Sequence, residues 1–189
     1  MKTFNGFLTE AKRPKGAVFT FGRFNPPTTG HAKLVKQLQK VAKGFDVLLF
    51  TSHSNDRRKN PLTHKQKISY LRKFFGKIVV DSTVRTVFDV ANQLQQQKYT
   101  HVRMVVGSDR IREFETLLNK YNGVKARHGF YKFESIEVVS AGERDPDADD
   151  VSGMSASKLR GYAEQGDFDN FKLGVPSKNA SDIQRLYKD

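Results

Sequence analysis

From residue 17 onwards the chain alternates short, unbroken apolar runs with longer amphipathic stretches. The runs at 18–21, 47–51, 78–80, 102–106 and 136–139 set Val, Ile, Leu and Phe side by side, so each predicts a strand buried on both faces. Between them a 3.6-residue period predicts helices over 31–43, 63–75, 87–97 and 111–121, and helical patterning returns at 155–164 and 179–187. Strands of this kind, separated by helices, imply an α/β fold: an open parallel sheet with helices on both faces.

Right-handed crossovers make such a sheet Rossmann-like, in strand order 3-2-1-4-5, with ligands bound beyond the strand C-termini where the order reverses. That switch point receives Gly22 to Asn25 from the first strand and Gly107-Ser108-Asp109 from the fourth. Residues 1–16 precede the first strand and read as an N-terminal appendage and linker; residues 17–189 read as one domain. At 189 residues the chain is large enough to bury roughly 70% of its unfolded surface.

Composition narrows the setting. Without cysteine there are no disulfides and no thiolate metal sites. No apolar run approaches the roughly 20 residues needed to cross a bilayer, and the N-terminus lacks a signal-peptide core, so a soluble, cytoplasmic protein with no membrane partner is expected. The net charge of +13, spread along the chain, favours polyanionic partners, either a nucleoside triphosphate at a site or nucleic acid over a surface.

The candidate chemistry sits on two stretches. In the first, residues 17–35, an apolar run stops at Gly22, two prolines forbid pairing, and a helix begins near Gly30 with Leu34, Val35 and Leu38 on one face. This strand, turn and helix put Thr28, Gly30 and His31 at a helix N-terminus, where unpaired N–H groups and the dipole attract phosphate. In the second, Met154-Ser155-Ala156-Ser157-Lys158-Leu159-Arg160, Ser155 is a natural N-cap, and Ser157 and Arg160 share a helix face.

Gly22 to His31 resembles, without a gap, the nucleotidyltransferase superfamily signature Gly-Arg-Phe-x-Pro followed by [Thr/His]-x-Gly-His. The stretch 154–160 resembles its second motif, Ser-x-Ser-x-x-Arg. The resemblance implies transfer of a nucleotidyl group from a triphosphate, with pyrophosphate released. His31, Thr28, Ser155, Ser157 and Arg160 would be catalytic, and Gly22, Arg23, Phe24, Asn25 and Gly30 would bind substrate. Gly107 and Asp109 would lie against the ribose, although Asp109 could equally cap the next helix. Asn60-Pro61-Leu62-Thr63 resembles a stretch of archaeal-type nicotinamide mononucleotide adenylyltransferases, which implies an acceptor contact at Lys67, where those enzymes have Arg. The tryptophan that such enzymes commonly stack on nicotinamide is missing here.

ATP is therefore the expected donor, since Thr28 stands where the resembling cytidylyltransferases usually have His. Nicotinamide mononucleotide, giving NAD, is the leading acceptor. The alternatives are cytidylyl transfer to an alcohol phosphate, and a non-catalytic nucleotide- or nucleic-acid-binding module. Mg2+ is the expected cofactor, arriving on the triphosphate, with no protein metal site: the acidic run 143–150 fails as a calcium loop, having Asp150 where Gly is required and Ala156 where Glu is required. Arg57, Arg58 and Lys59 read as a solvated charge run. Finally, residues 1–11, with Phe4, Phe7 and Leu8 at helical spacing, resemble capsid-targeting peptides of tailed-phage internal head proteins. That implies a phage-encoded chain packaged into the head after cleavage between Glu10 and Ala11; a helix docked on the enzyme's own surface is the other reading.

Overall fold

The computed structural model describes residues 14–142 and 154–189, so the N-terminal peptide and the acidic run 143–150 lie outside the described residues. Among the described residues four parallel strands form the sheet: β1 (Gly16–Gly22), β2 (Asp46–Thr51), β3 (His101–Val106) and β4 (Ser135–Ser140), in the order β2-β1-β3-β4. β1 starts at Gly16, and the preceding Lys15 carbonyl already accepts the N–H of Thr100 at 2.9 Å, so the fold reaches into the segment that reads as linker.

Successive residues of β1 feed opposite cores, as the pleat requires. Ala17 and Phe19 pack with Val90 and Leu94 of α3 (Val87–Gln96) and Leu118 of α4 (Ile111–Lys120). Val18 packs with Val35 and Leu38 of α1 (Thr29–Val41) and with Ile68 and Leu71 of α2 (His64–Phe75). Each buried Val, Leu, Ile or Phe among them contributes about 1.5–3 kcal/mol, and together these contacts hold the sheet whose C-terminal edge carries the site.

One predicted strand does not form. Residues 76–78 instead make a single tight turn, entered through Gly76 at φ 73°. Beyond it only Val79 pairs with β2, opposite Leu49, and the Val80 N–H donates to the Leu49 carbonyl at 2.9 Å. Three apolar residues running into Asp81 are too few to hold a ladder against that turn. The five-stranded order 3-2-1-4-5 is thereby corrected to four strands, with the intended edge reduced to one bridge.

A third core lies at the C-terminal end of the chain. Leu159 of α5 (Ala156–Glu164), Phe171 of α6 (Phe168–Gly174), and Ile183 and Leu186 of α7 (Ala180–Lys188) pack with Leu62 and Tyr70. A Cβ at Gly174 would sit 2.4 Å from Met154 and 2.7 Å from Leu159, so only glycine lets α6 approach this closely. The Tyr70 hydroxyl donates to Asp189 at 2.6 Å, and Lys73 pairs with Asp182. These contacts fix α5 against the body and so place the second motif.

Lys67 is fully buried on α2, and its ammonium donates to the carbonyls of Ser52 and of Ser54, the latter at 3.2 Å. Burial pushes its pKa down to about 8. An unfolded lysine titrates near ~10.4, so between these values the unfolded chain binds more protons and folding gains stability as pH rises. Tyr70, Tyr99 and Tyr131, all raised by burial first of all and the last two to about 12, act in the opposite sense as pH approaches and passes about 10, the ordinary tyrosine value. Urea unfolding is therefore expected to show stability rising by about 1 kcal/mol between about pH 8 and 9.5 in the native chain. Lys67→Met should abolish that rise, and a flat native profile would remove the effect. Among the described residues no helix is long and apolar enough to cross a membrane.

Candidate functional site

After Gly22 the chain turns through Arg23, Phe24 and Asn25 before α1 begins. Phe24 takes φ 47°, a left-handed conformation that costs on the order of 1–3 kcal/mol in a bulky residue. It is held there by burial, at 2% exposure, and by its ring lying 4.7 Å from that of His31. The Asn25 amide closes the turn onto the segment before α2: its Nδ2 donates to the Leu62 carbonyl and its Oδ1 accepts the Leu62 N–H, each at 3.0 Å.

Thr28 is the N-cap of α1 and accepts the His31 N–H at 3.4 Å. The bond is reciprocated: His31 Nδ1 accepts the Thr28 N–H at 2.9 Å, a capping box with His in place of Glu. The Thr28 hydroxyl lies 3.0 Å from the same nitrogen, and Thr28 is 1% exposed. A ring nitrogen that accepts a backbone N–H carries no proton, so the neutral imidazole is protonated at Nε2. The tautomer thus follows from the helix cap.

The facing wall comes from α5. Ser155 caps it by accepting the Lys158 N–H at 3.0 Å. One turn on, Arg160 Nη2 donates to Ser157 Oγ at 3.1 Å and Nη1 donates to the Asn25 carbonyl at 2.6 Å. A single guanidinium therefore ties the turn after β1 to a helix 135 residues away. Burial, then the neighbouring Arg23, lowers its pKa, yet an arginine keeps its charge at any ordinary pH. A Cβ on Gly30 would lie 3.2 Å from the Met154 carbonyl, so the two helix starts meet backbone to backbone.

Between them opens a cavity of about 550 Å3, a usual size for a small-ligand site. It brings together Arg23, Phe24, Asn25, Thr28, Gly30, His31, Gly107, Asp109, Ser155, Ser157 and Arg160. Two expected residues do not line it. Gly22 ends β1 and accepts the Ser52 N–H at 2.9 Å, while Lys67 is turned into the core beneath the Ser52 to Ser54 backbone. The acceptor contact expected of Lys67 is not at this cavity: the amine lies in the core, where the Ser52 and Ser54 carbonyls take two of its three donors. Asp109 forms no capping bond to α4; its Oδ1 folds back to 2.6 Å from where a Cβ on Gly107 would be, at the cavity wall.

Lys33, Lys59, Asn60 and Arg110 also line the cavity, although neither motif includes them. Lys33 follows His31 by two residues on α1 and Arg110 directly follows Asp109, so their places next to the motifs are the signal the sequence offers. Lys59 is exposed, as expected of a solvated charge run, and it also borders the cavity; its backbone is held by Asp56. That carboxylate accepts the N–H groups of Lys59 at 2.6 Å and Arg58 at 3.0 Å, which fixes the turn of the run. The Lys59 N–H and then the Asn60 amide hold the Asp56 carboxyl down to about 2.

Arg23, Lys33, Lys59, Arg110 and Arg160 thus face, among the described residues, a single cavity carboxylate, Asp109. The N-termini of α1 and α5 add aligned backbone donors. Such a cavity suits a polyanion gripped from two sides. No group of three or more His, Asp or Glu among the described residues could hold a metal ion.

Comparison with known proteins agrees with this geometry. Residues 19–161 match the profile of the family described as cytidylyltransferase-like. No curated protein sequence matches the chain. Among solved structures, Plasmodium falciparum nicotinic acid mononucleotide adenylyltransferase complexed with NaAD superposes with a TM-score of 0.57 at 13% identity, covering 92% of this chain and 95% of that one. The same enzyme complexed with APC gives 0.56 at 13% identity, with the same coverage of 92% and 95%. At that identity the likeness is one of fold.

Proposed function

The chain belongs to the cytidylyltransferase-like family of nucleotidyltransferases, and from that premise we propose that it transfers AMP from ATP to a small phosphorylated acceptor with release of pyrophosphate. The observation that carries this reading is the pairing, across one cavity, of a histidine whose proton is fixed at Nε2 with an arginine fork on the opposite helix. An acceptor phosphate is already ionised, so it needs no general base. Its oxygen attacks the α-phosphorus, a new P–O bond forms, and the bond to the bridging oxygen breaks in line as pyrophosphate leaves.

The protein's part is to place and neutralise charge. His31 Nε2–H donates to the α-phosphate as negative charge shifts in the transition state. The Thr28 hydroxyl, already engaged with His31, sets the histidine's orientation. Arg160 and Ser157 take the leaving β- and γ-phosphates, with the α5 N-terminus behind them. Lys33, Lys59, Arg23 and Arg110 supply positive charge for the triphosphate and for the acceptor's phosphate. Asp109 lies within the cavity to accept hydrogen bonds from ribose hydroxyls.

The donor set fits Mg2+ carried in by the triphosphate: with one carboxylate at hand, phosphate oxygens and water would hold the ion, and Asp109 is the protein group able to join them. When bound, the ion adds neutralising charge on the phosphates. Nicotinamide mononucleotide is the leading acceptor. The Asn60 to Thr63 stretch supports it, as does likeness of fold to an adenylyltransferase of nicotinic acid mononucleotide.

The test incubates the protein with each of the four triphosphates and, in turn, nicotinamide mononucleotide, nicotinic acid mononucleotide and choline phosphate. Pyrophosphate is followed by a coupled assay and product by mass. ATP with a pyridine mononucleotide is expected to give the dinucleotide. Turnover confined to CTP and choline phosphate would reassign the enzyme as a cytidylyltransferase, and no pyrophosphate under any pairing would leave a binding module.

A further inference from the structure

Away from the cavity, the connection between α4 and β4 carries a second concentration of positive charge. Residues 119–132 contain no Asp or Glu, and within them Lys120, Lys125, Arg127 and Lys132 are exposed. Among the described residues none of the four is in an ion pair. Phe130 stands among them with 46% of its surface in water, although its neighbour Tyr131 is wholly buried. None of these residues lines the cavity.

The loop that displays them is braced. Ala126 and Gly129 bond to each other in both directions, at 3.1 and 2.9 Å. The His128 ring stacks on Phe88 at 4.2 Å and meets Tyr121 edge-on at 4.6 Å, while the Lys132 N–H donates to Gln95 at 2.7 Å. Gly129 takes φ 101°, and a Cβ there would sit 2.5 Å from the Asn92 amide, so the tip has little room to rearrange. Its shape is set before any partner arrives, which lowers the entropy cost of binding.

We propose that this loop binds single-stranded nucleic acid, with Lys125 and Arg127, flanked by Lys120 and Lys132, on the backbone phosphates and Phe130 as a stacking face for a base. Uncompensated cations beside an exposed aromatic ring on a fixed support are what such strands require. A lipid surface is the poorer fit, because Phe130 and the half-exposed Val124 on a rigid turn offer neither an amphipathic helix nor enough apolar area to insert. The inference rests on this surface alone and is independent of the nucleotidyl-transfer reading.

Fluorescence anisotropy of a labelled 20-nucleotide oligo(dT) against the full chain tests it. Lys125→Ser with Arg127→Ser is expected to weaken binding by about 10-fold or more at 0.1 M salt. The same pair should flatten the slope of log K against log salt by about 1.4, at roughly 0.7 for each phosphate the variant no longer neutralises. Phe130→Ala should weaken binding by about 5-fold or more, the lower bound for one stacked base, and the charge-keeping pair Lys125→Arg with Arg127→Lys should bind as the native chain does. Unchanged thermal melting of all variants attributes these effects to the surface, and the charge-keeping pair supplies the same control if the serine pair melts early. The proposal is overturned if the native chain does not bind oligo(dT), if the serine pair binds as tightly as the native chain, or if Phe130→Ala has no effect and duplex DNA binds equally well. It is equally overturned if the variants are impaired only in binding to phosphatidylserine vesicles.

Discussion

Replacing His31 with alanine is expected to lower turnover by on the order of 100-fold or more, with triphosphate affinity changed by no more than a few-fold. The geometry says why the effect should fall on turnover. His31 Nδ1 is occupied by the Thr28 N–H, so the proton sits at Nε2 and the ring can only donate there. A donor to the α-phosphate gains strength as charge moves onto the leaving oxygens, whereas in the ground state it is one contact among five cationic side chains and two helix ends. The substitution also removes half of the α1 capping box and the ring packed on Phe24, so stability should fall by about 1 kcal/mol, too little to unfold the domain. Steady-state kinetics beside a melting curve separates these effects. A variant with native turnover takes His31 out of the chemistry, whatever its Tm.

Much of this wall is legible in the sequence because it is local. β1, its turn and α1 are contiguous, and the ten residues from Gly22 to His31 set both a backbone path and a cap. Even so, nothing in those residue types signals that His31 reciprocates the Thr28 cap, since capping boxes usually carry Glu or Gln at that position. What is not legible depends on long-range placement. Lys67 stands where an acceptor contact is expected, but α2 turns that face inward and the carbonyls of Ser52 and Ser54 claim the amine. Residues 78–80 have strand composition, yet strand formation needs a partner over several residues, and the chain meets β2 at Leu49 alone.

α6 escapes the hydrophobic pattern for a related reason. Its seven residues, Phe168–Gly174, are too few to show a helical period. It exists because Asp167 caps it, accepting the Asn170 N–H at 3.0 Å, and because Phe171 fills the third core. Lys59 shows a related limit at the site itself. Its run is exposed, as its charge implies, but nothing in that charge says that Lys59 borders the cavity.

Arg160→Lys is expected to raise the KM for the triphosphate and to lower kcat, each by about 10-fold, although the charge is kept. The guanidinium has five N–H groups in one plane. In this structure one goes to the Asn25 carbonyl at 2.6 Å and one to Ser157 Oγ at 3.1 Å, which leaves three to meet phosphate oxygens without releasing the turn after β1. An ammonium has three donors around one point and cannot span the Asn25 carbonyl, Ser157 and a phosphate together. If it holds the phosphate, the partly buried link between the two motifs is broken; if it holds Asn25, the leaving group has no clamp. Both routes weaken ground-state binding and transition-state stabilisation at once, which distinguishes this variant from His31→Ala. Initial rates over a matrix of triphosphate and acceptor concentrations read the two constants separately. Native values for both would mean that Arg160 serves the turn alone and that the leaving phosphates are held by the other cavity cations.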